Sequence, residues 1–165
     1  MSKLSPNFSL SELTKSQTAE RKGIANNPGA DEIYNLRLLA ENILQPVRDK
    51  FGSFIVSSGY RCPELSIAIG SSENSQHCKG QAADFEVAGV DNYELALWIK
   101  DNLDFDQLIL ECYTGGNSGW IHCSYVQNGR KDTLTYDKLN GNRSGLINGH
   151  DNRLARKDKQ TTTKE

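Results

Sequence analysis

Between Asp31 and Phe51 the apolar residues Ile33, Leu36, Leu39, Ile43, Leu44, Val47 and Phe51 recur at the spacing that lines one face of an α-helix. Asp31 and Glu32 suit the positive N-terminal end of such a helix, and Arg48 and Lys50 its C-terminal end. Gly52 stops it, and Pro46 is placed to kink it. Downstream the signal changes to short β-type runs. FIVSS (54–58), AADFEV (82–87), QLILEC (107–112) and WIHCSYV (120–126) read as strands, and TLTY (133–136) as an edge strand. TGGNSG between the third and fourth runs suits a hairpin connection. Shorter helices are expected from Pro63 through Ile69 and over 91–103, with a polar loop at 70–81. Helices and strands mix without a regular βαβ alternation. The expectation is therefore an α+β domain, with a small antiparallel sheet and helices packed around it.

The 165 residues suffice for one domain with a real core. Residues 1–30 are polar, with Ser9 or Ser11 placed to cap a brief helix before Leu13, and NNPGA (26–30) forms a turn. After Asn140 the chain turns polar, with almost no apolar residues. Residues 1–140 are read as the domain and 141–165 as a polar C-terminal tail. The net charge of −2 lacks the basic excess that nucleic acid or anionic lipid recruits, so neither is expected as a partner. No apolar run approaches the roughly 20 residues a membrane span needs. The polar N-terminus has no apolar h-region, so no signal peptide is expected.

The chemistry concentrates on two histidines. His77 lies in SQHCKGQAAD, seven residues before Asp84, and His122 follows Trp120 on an expected strand. Taken singly, a histidine or aspartate is most often structural. Together, two imidazoles and one carboxylate make a set suited to catalytic zinc, with a position left for water. Gly80 would let the loop turn tightly after His77, and the small Ala82 and Ala83 would let the backbone pack while Asp84 points inward. No H-E-x-x-H helix is present. Each cysteine directly follows a residue of interest: Arg61–Cys62, His77–Cys78, Glu111–Cys112 and His122–Cys123. Strand alternation would place Cys112 and Cys123 behind the site, reduced and near one another. Four-cysteine zinc spacings are absent.

The string Ser75-x-His77-x-x-Gly80-x-Ala82-x-Asp84 resembles the signature of the M15 zinc peptidases, the D-alanyl-D-alanine carboxypeptidase and endopeptidase family related in fold to the hedgehog signalling domain. SSGYRCPEL (57–65) resembles that family's SGYR segment, and GWIHCSY (119–125) its third-ligand segment, in the same order. The resemblance spans roughly residues 8 to 126. It implies zinc ligands at His77, Asp84 and His122, and a substrate- or oxyanion-binding role for Arg61. Many members carry a Glu three residues before the third ligand, but position 119 here is Gly. Glu111 is then the expected general base, brought back by the hairpin, with Glu86 the second choice.

The resemblance implies hydrolysis of peptidoglycan stem peptides at D-alanyl-D-alanine bonds. The alternatives are an L-alanyl-D-glutamate endopeptidase, or a docking module of a phage particle that keeps the fold. Without a signal peptide, such an enzyme would be made in the cytoplasm and reach the wall after lysis or on a virion. The tail would suit docking to a virion or tail protein.

Overall fold

The structure is a computed structural model, and residues 2–148 are described. The elements run β1 (Lys3–Ser5), β2 (Phe8–Ser9), α1 (Leu10–Thr14), α2 (Gln17–Lys22), α3 (Ala30–Leu39), a π-helical turn (Ala40–Leu44), α4 (Gln45–Phe51), β3 (Val56–Ser58), α5 (Pro63–Ala68), a 3-10 turn (Gln76–Lys79), β4 (Ala82–Phe85), α6 (Asn92–Asn102), β5 (Gln107–Glu111), β6 (Trp120–Ser124), β7 (Asp132–Asp137) and β8 (Gly141–Ser144). This is the expected α+β class in one domain. No helix among the described residues is long and apolar enough to cross a membrane.

The long helical segment forms as its periodicity predicts. Leu36, Leu39, Ala40, Ile43, Leu44 and Val47 are all buried. Pro46 makes its mark as a change of winding. It cannot donate to Asn42 four residues back, and its ring would crowd that carbonyl. The turn before it widens instead, and Gln45 N–H bonds Ala40 O five residues back. Gln45 itself is buried and ties the N-terminal hairpin to this helix. It accepts hydrogen bonds from Ser5 Oγ (2.9 Å) and Asn7 N (3.0 Å). That hairpin, β1–β2, carries buried Leu4 and Phe8 and has no counterpart among the expected elements. Ser9 caps α1, as expected, by accepting from Glu12 N.

The main sheet has six strands in the order β3-β4-β6-β5-β7-β8. The strands that matter for the site are antiparallel: β3 with β4, β4 with β6, and β5 with β6. One pairing departs from the all-antiparallel expectation, because β7 lies parallel to β5. TLTY is thus interior. The edge is β8, which pairs with β7 from Leu134↔Ser144 to Asp137↔Gly141. This corrects the boundary at 140. The segment GNRS is polar because an edge strand needs no apolar face. Gly145 N–H reaches Thr133 O, Ile147 N–H reaches Thr135 Oγ1, and Leu146 packs on the core. The docking expected of the tail at 141–165 falls largely on residues 149–165, which lie outside the described residues.

Strand alternation sorts the sheet into two faces. Ala83, Phe85, Leu108, Leu110, Ile121 and Cys123 are fully buried in the core. The intervening residues, Asp84, Gln107, Ile109, Glu111, Trp120 and His122, line an open cleft on the other face. Cys123 is behind the site as expected, and burial pushes its thiol far up. Cys112 is not. It lies past the end of β5 with φ of 55°, half-buried, so alternation no longer governs it. Cys123 pairs with Leu108, four residues short of Cys112. At the rise of an extended strand this separates the two by about 13 Å, well beyond disulfide reach.

Candidate active site

His77 sits on the 3-10 turn that breaks up the expected loop. Ser75 Oγ accepts from His77 N–H at the start of the turn, and Gly80 ends it with φ of 73°. A Cβ on Gly80 would lie 2.4 Å from Glu32 O on α3, so only glycine allows this approach. The turn is also tied to the sheet. Gln76 Nε2 donates to Asp106 Oδ2 (3.0 Å), and Arg130 grips the same carboxylate, Nε donating to Oδ1 (3.0 Å) and Nη2 to Oδ2 (2.9 Å).

Arg130, with lesser help from its own backbone N–H and Gln76, holds the Asp106 carboxyl at about 2, against 3.8 unperturbed, although burial opposes this. The folded value lies below the unfolded one. The stabilisation is therefore present above about pH 4 and lost as pH falls through about 2. Arg130 is 61% exposed, which screens the pair. Asp106→Asn is expected to cost about 1–2 kcal/mol at pH 7, with the gap to wild type narrowing below pH 3 in paired urea melts.

Asp84 and His122 face one another across the β4–β6 pair, in register. His122 Nδ1 lies 2.9 Å from Asp84 Oδ1, and His77 Nε2 lies 3.4 Å from the same oxygen. The two imidazole rings are 5.2 Å apart. His77 Nδ1 is 2.7 Å from Gly59 O, and both are buried. A carbonyl only accepts, so Nδ1 carries the proton and Nε2 presents its lone pair to Asp84. Two lone pairs facing at 3.4 Å need positive charge between them, from a proton or a metal cation. Burial pushes the Asp84 carboxyl upward, but with a proton in each gap the hydrogen bonds and positive charge of His122 and His77 outweigh it and hold it well below the usual range.

The donor atoms of His77, Asp84 and His122 lie within 4.8 Å of one another. Ligands of a tetrahedral zinc, at about 2.0–2.1 Å from the ion, stand about 3.3 Å apart. The two measured separations bracket that spacing. The backbone carbonyl behind His77 is the usual second partner of a metal-bound imidazole. The residues present fit a zinc ion.

Arg61, Glu111 and Trp120 join the three in a cleft of about 450 Å3. Glu111 is opposite Trp120 across the hairpin, and Trp120 Nε1 donates to Glu111 Oε2 at 2.9 Å. Burial first, and the nearby Asp84 charge second, raise the Glu111 carboxyl. His122, Trp120 and Arg61 pull the other way without cancelling this. Glu86 is past the end of β4, exposed, and outside the cleft. It does not share a strand face with Asp84.

Arg61 is held at its backbone. Its N–H bonds His77 O (3.2 Å), and the Asn26 side chain bonds Tyr60 O (3.0 Å) and Cys62 N (2.7 Å) on either side. Its Nε is buried with no hydrogen-bond partner among the described residues.

Sequence reasoning misses three supporting parts. Periodicity leaves Trp120 between core and cleft, and it faces the cleft. The Gly59 carbonyl carries no side-chain signal. Gly59 itself is required, because a Cβ there would lie 2.4 Å from Leu13 O. The Gln76–Asp106–Arg130 chain joins residues far apart in sequence and has no local pattern. Of the other aromatics, Tyr60 and Tyr113 are buried in the core, and Trp98 packs edge-on against Phe51 at 5.4 Å.

No curated protein matches the chain. The family model described as Peptidase M15 matches residues 6–124. That range begins inside the N-terminal hairpin, after β1, and takes in β2, Arg61, the 3-10 turn with His77, and the three strands bearing Asp84, Glu111 and His122. The match spans well over half of the sequence, and the chain belongs to the Peptidase M15 family of metallopeptidases.

Proposed function

We propose that the protein is a zinc peptidase that hydrolyses amide bonds in peptidoglycan stem peptides, of the D-alanyl-D-alanine type, working on the cell wall after lysis or from a virion. One observation carries the catalytic reading: over one open sheet face, a His/Asp/His set drawn from two strands and the 3-10 turn shares a cleft with a half-buried carboxylate and an arginine. Zinc bound by His77, Asp84 and His122 would supply Lewis acidity to the scissile carbonyl and to water.

The chain's own residues account for the rest. Glu111 takes the proton of the attacking water and delivers it to the leaving amine. Its raised carboxyl suits both transfers, since a base of ordinary acidity would be slow to accept and a stronger one slow to give. Trp120 holds Oε2 and so fixes the carboxylate plane, leaving Oε1 for the water. Arg61 grips a substrate carboxylate or the developing oxyanion with its planar fork. Its unpartnered Nε supports this, because a buried donor without a protein acceptor is costly unless a ligand supplies one.

Arg61→Lys keeps the charge but not the fork. It is expected to lower kcat/KM by about tenfold or more, a loss of at least about 1.4 kcal/mol of transition-state binding, with zinc content unchanged. Wild-type kinetics would return Arg61 to the role of an ordinary surface cation.

The reading as a whole is tested by digesting purified cell-wall peptides, with and without chelator, and weighing the products. Chelator-sensitive release of D-alanine, or cleavage of the D,D cross-link, is the expected result. Cleavage after L-alanine would move the specificity to L-alanyl-D-glutamate. No turnover by zinc-loaded protein would leave the fold as a docking module.

A further inference from the structure

A second groove of about 400 Å3 adjoins the cleft, and Arg61 lines both. One wall is β3, the end strand of the six-stranded sheet, which pairs with β4 alone among the described residues. The start of α2, with Lys15 just before it, also lines the groove, and α5 contributes Leu65, with Ile69 just past its end. Ile55 is 84% exposed and Ile69 43%, so the groove presents apolar surface to water. Among the described residues its cations are Lys15 and Arg61, and no aspartate or glutamate lines it.

These features select an occupant. An end strand offers backbone groups to an extended chain lying beside it. Isolated apolar patches suit small side chains. Two cations without a carboxylate between them suit a negatively charged segment. Two cations are far too few for nucleic acid or an anionic membrane, each of which needs a larger basic surface. The shared Arg61 makes the groove continuous with the cleft.

We propose that the groove seats the acidic arm of the peptide substrate, an extended segment with small apolar side chains and a free carboxylate directed to Lys15. The proposal rests on the peptidase reading and makes Lys15 a specificity-determining residue. Lys15 is exposed and follows the last residue of α1, so its substitution is compatible with folding.

The test uses zinc-loaded protein and three uncleavable alanine- and glutamate-containing peptides, with the scissile amide replaced by a methyleneamine. One bears free carboxylates on its long arm, the second carboxamides, and the third lacks the arm. Calorimetry on wild type and Lys15→Glu is the readout. Lys15→Glu is expected to weaken the acidic peptide about fivefold or more, to leave the amidated peptide within about twofold, and to leave the armless peptide unchanged. Equal effects on the acidic and amidated peptides, no effect on either, or no binding of the acidic peptide would overturn the proposal. Cell-wall digestion separates the two readings. Turnover without the Lys15 pattern sinks the groove alone, and the Lys15 pattern without turnover sinks the catalytic reading alone.

Discussion

Alanine at His77, Asp84 or His122 is expected to remove the single zinc from the chain and to abolish turnover, each substitution alone being sufficient. Each side chain supplies one donor to a set whose atoms lie within 4.8 Å, and the remaining two cannot close a stable site. The readouts are metal content after gel filtration and the thermal midpoint with and without chelator. A metal that binds only the folded protein stabilises it, so chelator is expected to lower the wild-type midpoint and to leave the three variants unmoved. Of the three, His77→Ala carries the largest folding cost. His77 is 2% exposed and its loss leaves the Gly59 carbonyl buried without its donor. Full zinc occupancy in all three variants would refute the ligand assignment.

The His77, Asp84 and His122 cluster is legible in the sequence because it depends on local chemistry. Ser75, Gly80 and Asp84 occupy fixed offsets from His77, and each has a physical reason in the fold. Ser75 supplies a hydroxyl that accepts from the turn, Gly80 a left-handed residue against α3, and Asp84 a strand residue opposite His122. The long helix is legible for a similar reason, since its buried residues repeat on one face. What stays hidden depends on distant partners. The π-helical turn emerges only when the Pro46 clash is followed into the hydrogen bonds of the preceding turn. The parallel seating of β7 is decided by Gln107↔Asp132 through Glu111↔Tyr136, a register that no periodicity encodes. The edge strand β8 reads as a tail because a strand with no buried face shares its composition with a disordered segment. The groove at Lys15 joins the start of α2 to β3 and α5, which lie far along the chain.

Position 119 shows how a departure from a family pattern can be read. Gly119 has φ of 67°, and a Cβ there would lie 2.0 Å from Glu111 O. No glutamate fits at that position. The carboxylate in the cleft comes instead from the partner strand, where Glu111 is paired with Trp120. The hairpin thus places a carboxylate in the cleft from across the sheet, where the short Glu-x-x-His spacing would place one along the strand.

Glu111→Gln follows as the sharpest test of mechanism. Glutamine keeps the size and can still accept from Trp120, so the hairpin and the zinc ligands are expected to remain in place. It cannot take a proton from water. The expected outcome is a fall in kcat of about 10²-fold or more with zinc content and thermal midpoint near wild type. The pH profile adds a second readout. Only ionised Glu111 can act as base, so wild-type kcat/KM is expected to fall on the acid side, as pH drops through the carboxyl's value. In the metal-free chain burial and the Asp84 charge raise that carboxyl, and a cation held by Asp84 offsets the second of these, so burial is what pushes the limb upward. In Glu111→Gln the residual rate is expected to lose this limb, because the titrating group is gone. Trp120→Phe is expected to fall between the two. Removing its N–H frees the carboxylate to rotate and removes a contact that favours the ionised form, so the acid limb shifts to higher pH while zinc is retained. A Glu111→Gln enzyme with wild-type kcat and an unchanged acid limb would take the proton transfer away from Glu111. Among the described residues Asp84 is the other carboxylate lining the cleft, so a base from the substrate or from solvent would be tested next.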